Sequence, residues 1–275
     1  MPQPRALILR APGTNCDRET AFALAQAGAA AEILHVNRVL EEAKYLQQSQ
    51  ILCLPGGFSY GDDIAAGRIL GNQIRTHLAD AMEKFREDGK LILGICNGFQ
   101  VLIKSGLLLN DGEKQQRNHD KDIAETAATL TWNDSGKFED RWVHLKTTSD
   151  KSPLLAGVKR MFLPVAHAEG KFVAASADQL DALEASGQLV LRYCNPMKND
   201  GIDEDDHATV TFPDNPNGSL RAVAGVCDKT GRVLGLMPHP ERYIDRTHHP
   251  RWTREEGGAE GDGTAIFKNA VGFFA

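Results

Sequence analysis

The stretch Lys90-Leu91-Ile92-Leu93-Gly94-Ile95-Cys96-Asn97-Gly98-Phe99-Gln100 decides the fold. An apolar run of strand length enters Gly-x-Cys-x-Gly, and Val101, Leu102 and Ile103 continue with the look of a buried helix. Strand, tight turn and helix in this order form a nucleophile elbow with a thiol in place of the hydroxyl. The flanking glycines are expected because the turn leaves no room for side chains beside a strained central residue. The helix N-terminus then points at the sulfur, and its partial positive charge favours thiolate over thiol. A buried, inert cysteine in a tight turn is the alternative reading of the same pentapeptide.

Outward from the elbow, strands and helices alternate. Arg5–Leu9 is a short apolar strand, followed by Pro12-Gly13-Thr14-Asn15 and a helical pattern from Asp17 to Gln26 that Gly28 ends. Ala31–Val36 and Ile51–Leu54 read as further strands, and Ile69–Arg86 as one helix ending before Gly89. This rhythm predicts an α/β fold, a flavodoxin-like and mostly parallel sheet with helices on both faces. In such sheets ligands gather at the carboxyl ends of the strands, where Gly56-Gly57 and Cys96 both fall. After Gly106 the pattern changes. Thr129–Trp132, Arg141–Leu145, Gln188–Tyr193 and Arg221–Cys227 resemble antiparallel strands, and the turn Asp228–Gly231 leads into Arg232–Met237. The C-terminal half is therefore expected to add antiparallel strands. Asn110–Asp122, Lys198–Asp206 and Asp245–Gly263 read as polar loops or insertions, the last rich in glycine and glutamate and expected to be mobile. No internal repeat is present.

Composition narrows the function classes. The 275 residues are 41% apolar and 25% charged, ordinary for a globular protein with a substantial core. The net charge of −6 argues against a nucleic-acid partner, which calls for a basic face. No apolar run approaches the ~18 residues of a membrane span, and the start Met-Pro-Gln-Pro-Arg does not read as a signal peptide. Cys16, Cys53, Cys96, Cys194 and Cys227 are odd in number, scattered and without metal-ligand spacing. A reduced, cytoplasmic protein without structural disulfides or metal is the expectation, and it suits a working thiol.

A cysteine nucleophile needs a base, and the base needs an orienting group. The best candidate is His239 in Met237-Pro238-His239-Pro240-Glu241-Arg242. Prolines on both sides stiffen the backbone at a strand end, so the imidazole leaves in a set direction. Glu241, two residues on, lies on the same side of an extended segment and could hold one ring nitrogen while the other takes the thiol proton. His167-Ala168-Glu169 offers the same spacing, so spacing does not choose between them. The stiffer Pro-His-Pro frame favours His239; His167 and Glu169 could instead line the site, bind substrate or hold an interface.

Acyl chemistry also needs an oxyanion hole. Leu54-Pro55-Gly56-Gly57-Phe58-Ser59-Tyr60-Gly61-Asp62 ends a strand with two glycines whose N–H groups can approach a ligand. One of these, with the N–H of Asn97 after the nucleophile, would supply two donors. Asp62-Asp63 reads as a solvated turn. No Gly-Lys-Ser/Thr or Gly-x-Gly-x-x-Gly phosphate cradle follows any strand.

Together, Leu54–Asp62, Gly94–Gln100 and Pro238–Arg242 resemble the class I glutamine amidotransferases. Pro12–Asp17, Asn133–Phe138, Ala166–Gly170 and Asn215–Ser219 extend the likeness over nearly the whole chain, as one domain covering 1–275. They point to the branch whose separate glutaminase subunits serve purine biosynthesis. The resemblance implies a Cys96–His239–Glu241 triad that hydrolyses L-glutamine through a glutamyl thioester, with Gly57 and Asn97 stabilising the oxyanion. Gly56, Phe58 and Gln100 flank these positions and are the candidates for binding substrate. It further implies that ammonia passes to a partner synthetase, which uses ATP and Mg to convert formylglycinamide ribonucleotide to its amidine. A small bridging subunit often joins the two, and this chain itself takes no cofactor. Ala168 stands where the family commonly has glycine, and the insertions make the chain longer than the usual separate glutaminase. The competing reading is a cysteine-elbow hydrolase or chaperone of the related flavodoxin-like group, which would share the sheet and the elbow but would not need Pro-His-Pro-Glu.

Overall fold

The computed structural model describes residues 3–109, 127–195, 210–254 and 257–275. Its first half is β1 (Arg5–Arg10), α1 (Asp17–Gln26), β2 (Ala30–His35), α2 (Val36–Glu41), α3 (Lys44–Gln47), β3 (Ile51–Leu54), α4 (Arg68–His77), α5 (Ala79–Glu87), β4 (Leu91–Ile95) and α6 (Asn97–Ser105). The second half is β5 (Ala128–Thr131), β6 (Glu139–Thr147), β7 (Arg160–His167), β8 (Lys171–Ala174), α7 (Ala177–Ala185), β9 (Leu191–Tyr193), β10 (Val223–Cys227), β11 (Val233–Leu236) and α8 (Thr264–Gly272). Among the described residues the main sheet runs β2-β1-β3-β4-β11-β10-β9-β6-β7. The strands from β2 to β11 in that order pair in parallel, and those from β11 to β7 pair antiparallel. β5 and β8 form a separate antiparallel pair. β3 and β4 are buried along their whole length, as interior parallel strands of unbroken apolar sequence should be. No described helix is long and apolar enough to cross a membrane.

The α/β class and the antiparallel addition agree with the sequence reading, while several elements differ. The helix expected over Ile69–Arg86 is two, α4 and α5, broken at Leu78, whose φ of −120° and ψ of 8° leave the helical region. Neither proline nor glycine marks this break. α2 and α3 follow β2 directly, so Val36 opens a helix where a strand residue was expected. β7 was hidden by Pro164, which does not donate to a ladder; the strand forms the sheet's edge and tolerates it there. Asn110–Asp122 and Lys198–Asp206 lie outside the described residues. The described part of Asp245–Gly263 is anchored, contrary to its composition. Asp245 bridges to Glu260, and the buried His249 packs among Trp142, Phe162 and Tyr243.

The elbow is held by the closeness of three backbones. A Cβ on Gly98 would sit 1.8 Å from the Leu54 carbonyl oxygen, and one on Gly94 would sit 2.7 Å from the Gly98 carbonyl oxygen. The first turn of α6 is thus pressed on the ends of β3 and β4, and neither glycine can carry a side chain without moving backbone. Gly98→Ala should lower the unfolding free energy obtained from urea titration by about 3 kcal/mol or more. Gly89→Ala, with nothing within 4 Å but a φ of +75°, should cost only about 1 kcal/mol. Equal losses would contradict the close-packing account.

Candidate active site

Cys96 is the residue between β4 and α6, with φ 51° and ψ −106°. Such a backbone costs a non-glycine residue on the order of 1–3 kcal/mol and persists only where its surroundings enforce it. The enforcement is visible. Its N–H donates to the Leu236 carbonyl on β11 (2.8 Å), and its carbonyl accepts from Phe99 and Gln100 N–H (3.0 and 3.2 Å) as the first turn of α6. The thiol lies 3.7 Å from the Ala166 carbonyl oxygen on β7. β11, which pairs with β4 in register Gly235 to Gly94 and Leu236 to Ile95, delivers His239 just beyond its end. The His239 N–H donates to the Pro164 carbonyl on the edge strand (2.8 Å). A missed strand therefore positions the predicted base.

His239 and Glu241 come together, though by another route than expected. Pro240–Arg242 is a turn of 3₁₀ helix, not an extended segment, and it folds Glu241 Oε1 to 2.6 Å from His239 Nδ1. Both residues are buried, and neither His239 Nε2 nor Glu241 Oε2 has another hydrogen-bond partner among the described residues. Burial alone disfavours a charged imidazole. The adjacent Glu241 carboxylate and the Cys96 sulfur outweigh it and hold His239 well above the usual histidine range.

The competing histidine has the opposite character. His167 is buried at the end of β7, with Nδ1 3.1 Å from Asn133 Oδ1 and Nε2 unpartnered. Burial, reinforced by the positive charge of His239, depresses it to about 3. The Asn133 side chain also donates to the His167 carbonyl (2.8 Å), and Gly170 packs on the ring. His167 is a neutral strut beneath the turn. Glu169 does not approach it as Glu241 approaches His239; its carboxylate accepts from the Ala66 N–H (3.4 Å) and its carbonyl from Gln100 Nε2 (2.5 Å).

The glycine loop lies beside the elbow. Gly57 has φ +137°, and the loop is tied to the Pro12–Asn15 turn through Phe58 N–H to the Gly13 carbonyl (3.0 Å) and Tyr60 N–H to the Pro12 carbonyl (2.7 Å). The Gly57 N–H takes no part in these bonds, and the Asn97 N–H, first in α6, has no intrahelical acceptor. The other candidates fall into different places. Gly56 packs against the His239 ring, where a Cβ would meet Cε1 at 2.7 Å, and its carbonyl accepts from Cys16 N–H. Phe58 is 45% exposed and stacks on Phe138 at 6.3 Å. Gln100 is buried, its amide spent on Asn97 and Glu169.

Cys16 was missed. Its sulfur lies 4.0 Å from His239 Nδ1, accepts from Arg242 Nη2 (3.1 Å) and donates to Asn15 Oδ1 (3.2 Å). Its only signal in the sequence was its place in the Pro12–Asp17 stretch, which carried a likeness but no chemistry. Burial pushes the thiol up, so it stays protonated. Cys16, His239 and Glu241 bring ligand atoms within 4.8 Å of one another. The Arg242 guanidinium against the sulfur and the short Glu241–His239 bond make this set suit a hydrogen-bonded relay better than a cation.

Residues 3–274 match the family model described as a CobB/CobQ-like glutamine amidotransferase domain. The chain is 42% identical to phosphoribosylformylglycinamidine synthase subunit PurQ of Dehalococcoides mccartyi, with 98% of each chain covered. It is 36% identical to the PurQ of Methanococcus maripaludis over 98% of this chain and 97% of that one. Among solved structures, PurLQS from Thermotoga maritima contains a chain 30% identical that superposes with a TM-score of 0.69, all of both chains being covered. A thiol on an elbow, a carboxylate-held histidine and these likenesses agree: the chain belongs to the glutamine amidotransferase family, in the branch of the PurQ subunits of phosphoribosylformylglycinamidine synthase.

Proposed function

We propose that this chain is the glutaminase of a phosphoribosylformylglycinamidine synthase, hydrolysing L-glutamine at Cys96 and passing ammonia to a partner synthetase. The observation that carries the proposal is the buried His239–Glu241 pair, 2.6 Å apart, set electrostatically against the Cys96 sulfur at the strained turn. The Glu241 carboxylate favours imidazolium, so His239 takes the thiol proton as the Cys96 sulfur becomes the nucleophile. The thiolate attacks the side-chain carbonyl carbon of glutamine. The oxyanion that forms is met by the N–H groups of Gly57 and Asn97. The intermediate collapses to a γ-glutamyl thioester as His239 gives its proton to the departing ammonia. Water, deprotonated by His239, attacks the thioester, and glutamate leaves with Cys96 restored as thiolate. Gly56, Phe58 and Gln100 border this site on the loop and on α6. The chain itself needs no cofactor for these steps; ATP and Mg belong to the synthetase, which makes formylglycinamidine ribonucleotide, and a small subunit bridges the two in the cytoplasm.

Free ammonia is largely protonated near neutral pH and a poor nucleophile in that form, so hydrolysis is useful only when coupled to the synthetase. The loop bearing Gly57 is the natural point of control, since rotation of a glycine peptide turns an N–H toward or away from the oxyanion. The lone chain should therefore turn over glutamine more slowly than the assembled enzyme in steady-state assays; equal rates would rule the coupling out.

Cys96→Ser should abolish glutamine-dependent synthesis by the assembled enzyme and leave ammonia-dependent synthesis intact. His239→Ala should be inactive, whereas His167→Ala should still form thioester in a single-turnover experiment. The reverse pattern would exchange the two histidines. Glu241→Gln should lower activity and move the alkaline limb of the kcat/KM profile to lower pH. The sign follows from His239: its raised value keeps the imidazolium protonated to higher pH, and removing the carboxylate lets it deprotonate earlier. An unmoved limb would contradict the electrostatic role of Glu241.

A further inference from the structure

The loop after Gly57 is strained, and its anchorage is unevenly distributed. Tyr60, Gly61 and Asp62 have φ of 56°, 71° and 53°, three consecutive left-handed residues of which two carry side chains. Each non-glycine residue there costs on the order of 1–2 kcal/mol, so the conformation needs external bonds. The Pro12–Asn15 turn supplies them on one side. On the other side they converge on one carboxamide. Asn97 Oδ1 accepts from the buried Ser59 N–H (3.1 Å), and Asn97 Nδ2 donates to Asp62 Oδ1 (3.1 Å) and Gln100 Oε1 (2.9 Å). Asp62 Oδ1 in turn accepts from Gly67 N–H (3.4 Å). The far end of the network is fixed as well, because Gln100 Nε2 holds the Glu169 carbonyl and the Glu169 carboxylate accepts from Ala66 N–H.

We propose that the Asn97 side chain is a positioning residue: a latch that holds the strained loop against the nucleophile turn and so sets the register between the Gly57 N–H and Cys96. Asn97 is 3% exposed, and all three bonds of its carboxamide stay within the protein. It is fully committed to this scaffold, while its own main-chain N–H is left for the oxyanion. One residue then joins the two halves of the oxyanion hole, one through its backbone and the other through its side chain. An aliphatic residue after the cysteine could supply the N–H but not the latch. The inference rests on the glutaminase reading above and adds a role that reading does not require.

The test uses the chain assembled with its synthetase. Asn97→Ala should lower glutaminase kcat by about 10²-fold, the scale of a lost oxyanion donor, with KM for glutamine within about threefold. Alkylation of Cys96 by iodoacetamide, which develops no oxyanion, should stay within about threefold of the parent rate, showing the nucleophile undisturbed. Asn97→Asp keeps the acceptor for Ser59 but sets two carboxylates together, and should also be slow. Adding Asp62→Asn restores a donor between the two positions and should recover kcat by about tenfold or more over Asn97→Asp alone. Near-parental kcat in Asn97→Ala would overturn the latch. So would loss of alkylation in parallel with kcat, or a double variant no better than Asn97→Asp. If Asn97→Ala does not fold, the charge-swapped pair decides alone. Absence of glutaminase activity in the parent complex would instead refute the proposed function and is read before any variant.

Discussion

The contact on which the rest of the molecule depends is the approach of α6 to the ends of β3 and β4, a Gly98 Cα lying against the Leu54 carbonyl and Gly94 against Gly98. The chain passes from β4 into α6 at that close approach through a residue with positive φ, Cys96. The same contact sets the Gly57 loop, which continues from β3, beside the sulfur. Packing thus places the chemistry of the proposed site: glycines chosen for space set the Cys96 thiol at the start of α6, where the first N–H groups lack intrahelical acceptors.

The two halves of the sheet then divide the labour. The parallel half carries the Cys96 thiol and the Gly57 loop on neighbouring strand ends. His239 is delivered from the junction of the halves, since β11 runs parallel to β4 on one side and antiparallel to β10 on the other. The edge strand β7 completes the site from outside, with the Pro164 carbonyl binding His239 and the Ala166 carbonyl facing Cys96. Two buried histidines near one thiol are driven in opposite directions by their neighbours. For His239 a carboxylate outweighs burial and raises it, while burial, reinforced by the positive charge of His239, depresses His167. This electrostatic difference, which H-x-E spacing could not express, is what distinguishes the two pairs in the structure.

Much of this was legible in the sequence because it depends on local features. Gly-x-Cys-x-Gly after an apolar run, Pro-Gly-Gly after another, and a histidine between prolines each announce a turn whose geometry is decided within a few residues. What was not legible depends on distant contacts. β7 was masked by its proline because edge position, which makes the proline harmless, is a property of the sheet. The break at Leu78 has no local breaker. Cys16 looked like one of four spare thiols until α1 and the Pro240–Arg242 turn brought it to His239. The role of the Asn97 side chain is not legible locally, because two of its three partners, Ser59 and Asp62, lie 38 and 35 residues upstream.

The identity of the acylated sulfur tests the assignment of Cys96 most directly. Assembled enzyme mixed with glutamine, quenched in acid within a turnover and digested, should yield one peptide heavier by a glutamyl group, the one containing Cys96. An adduct on the Cys16 peptide, or turnover without any protein-bound glutamyl group, would contradict it.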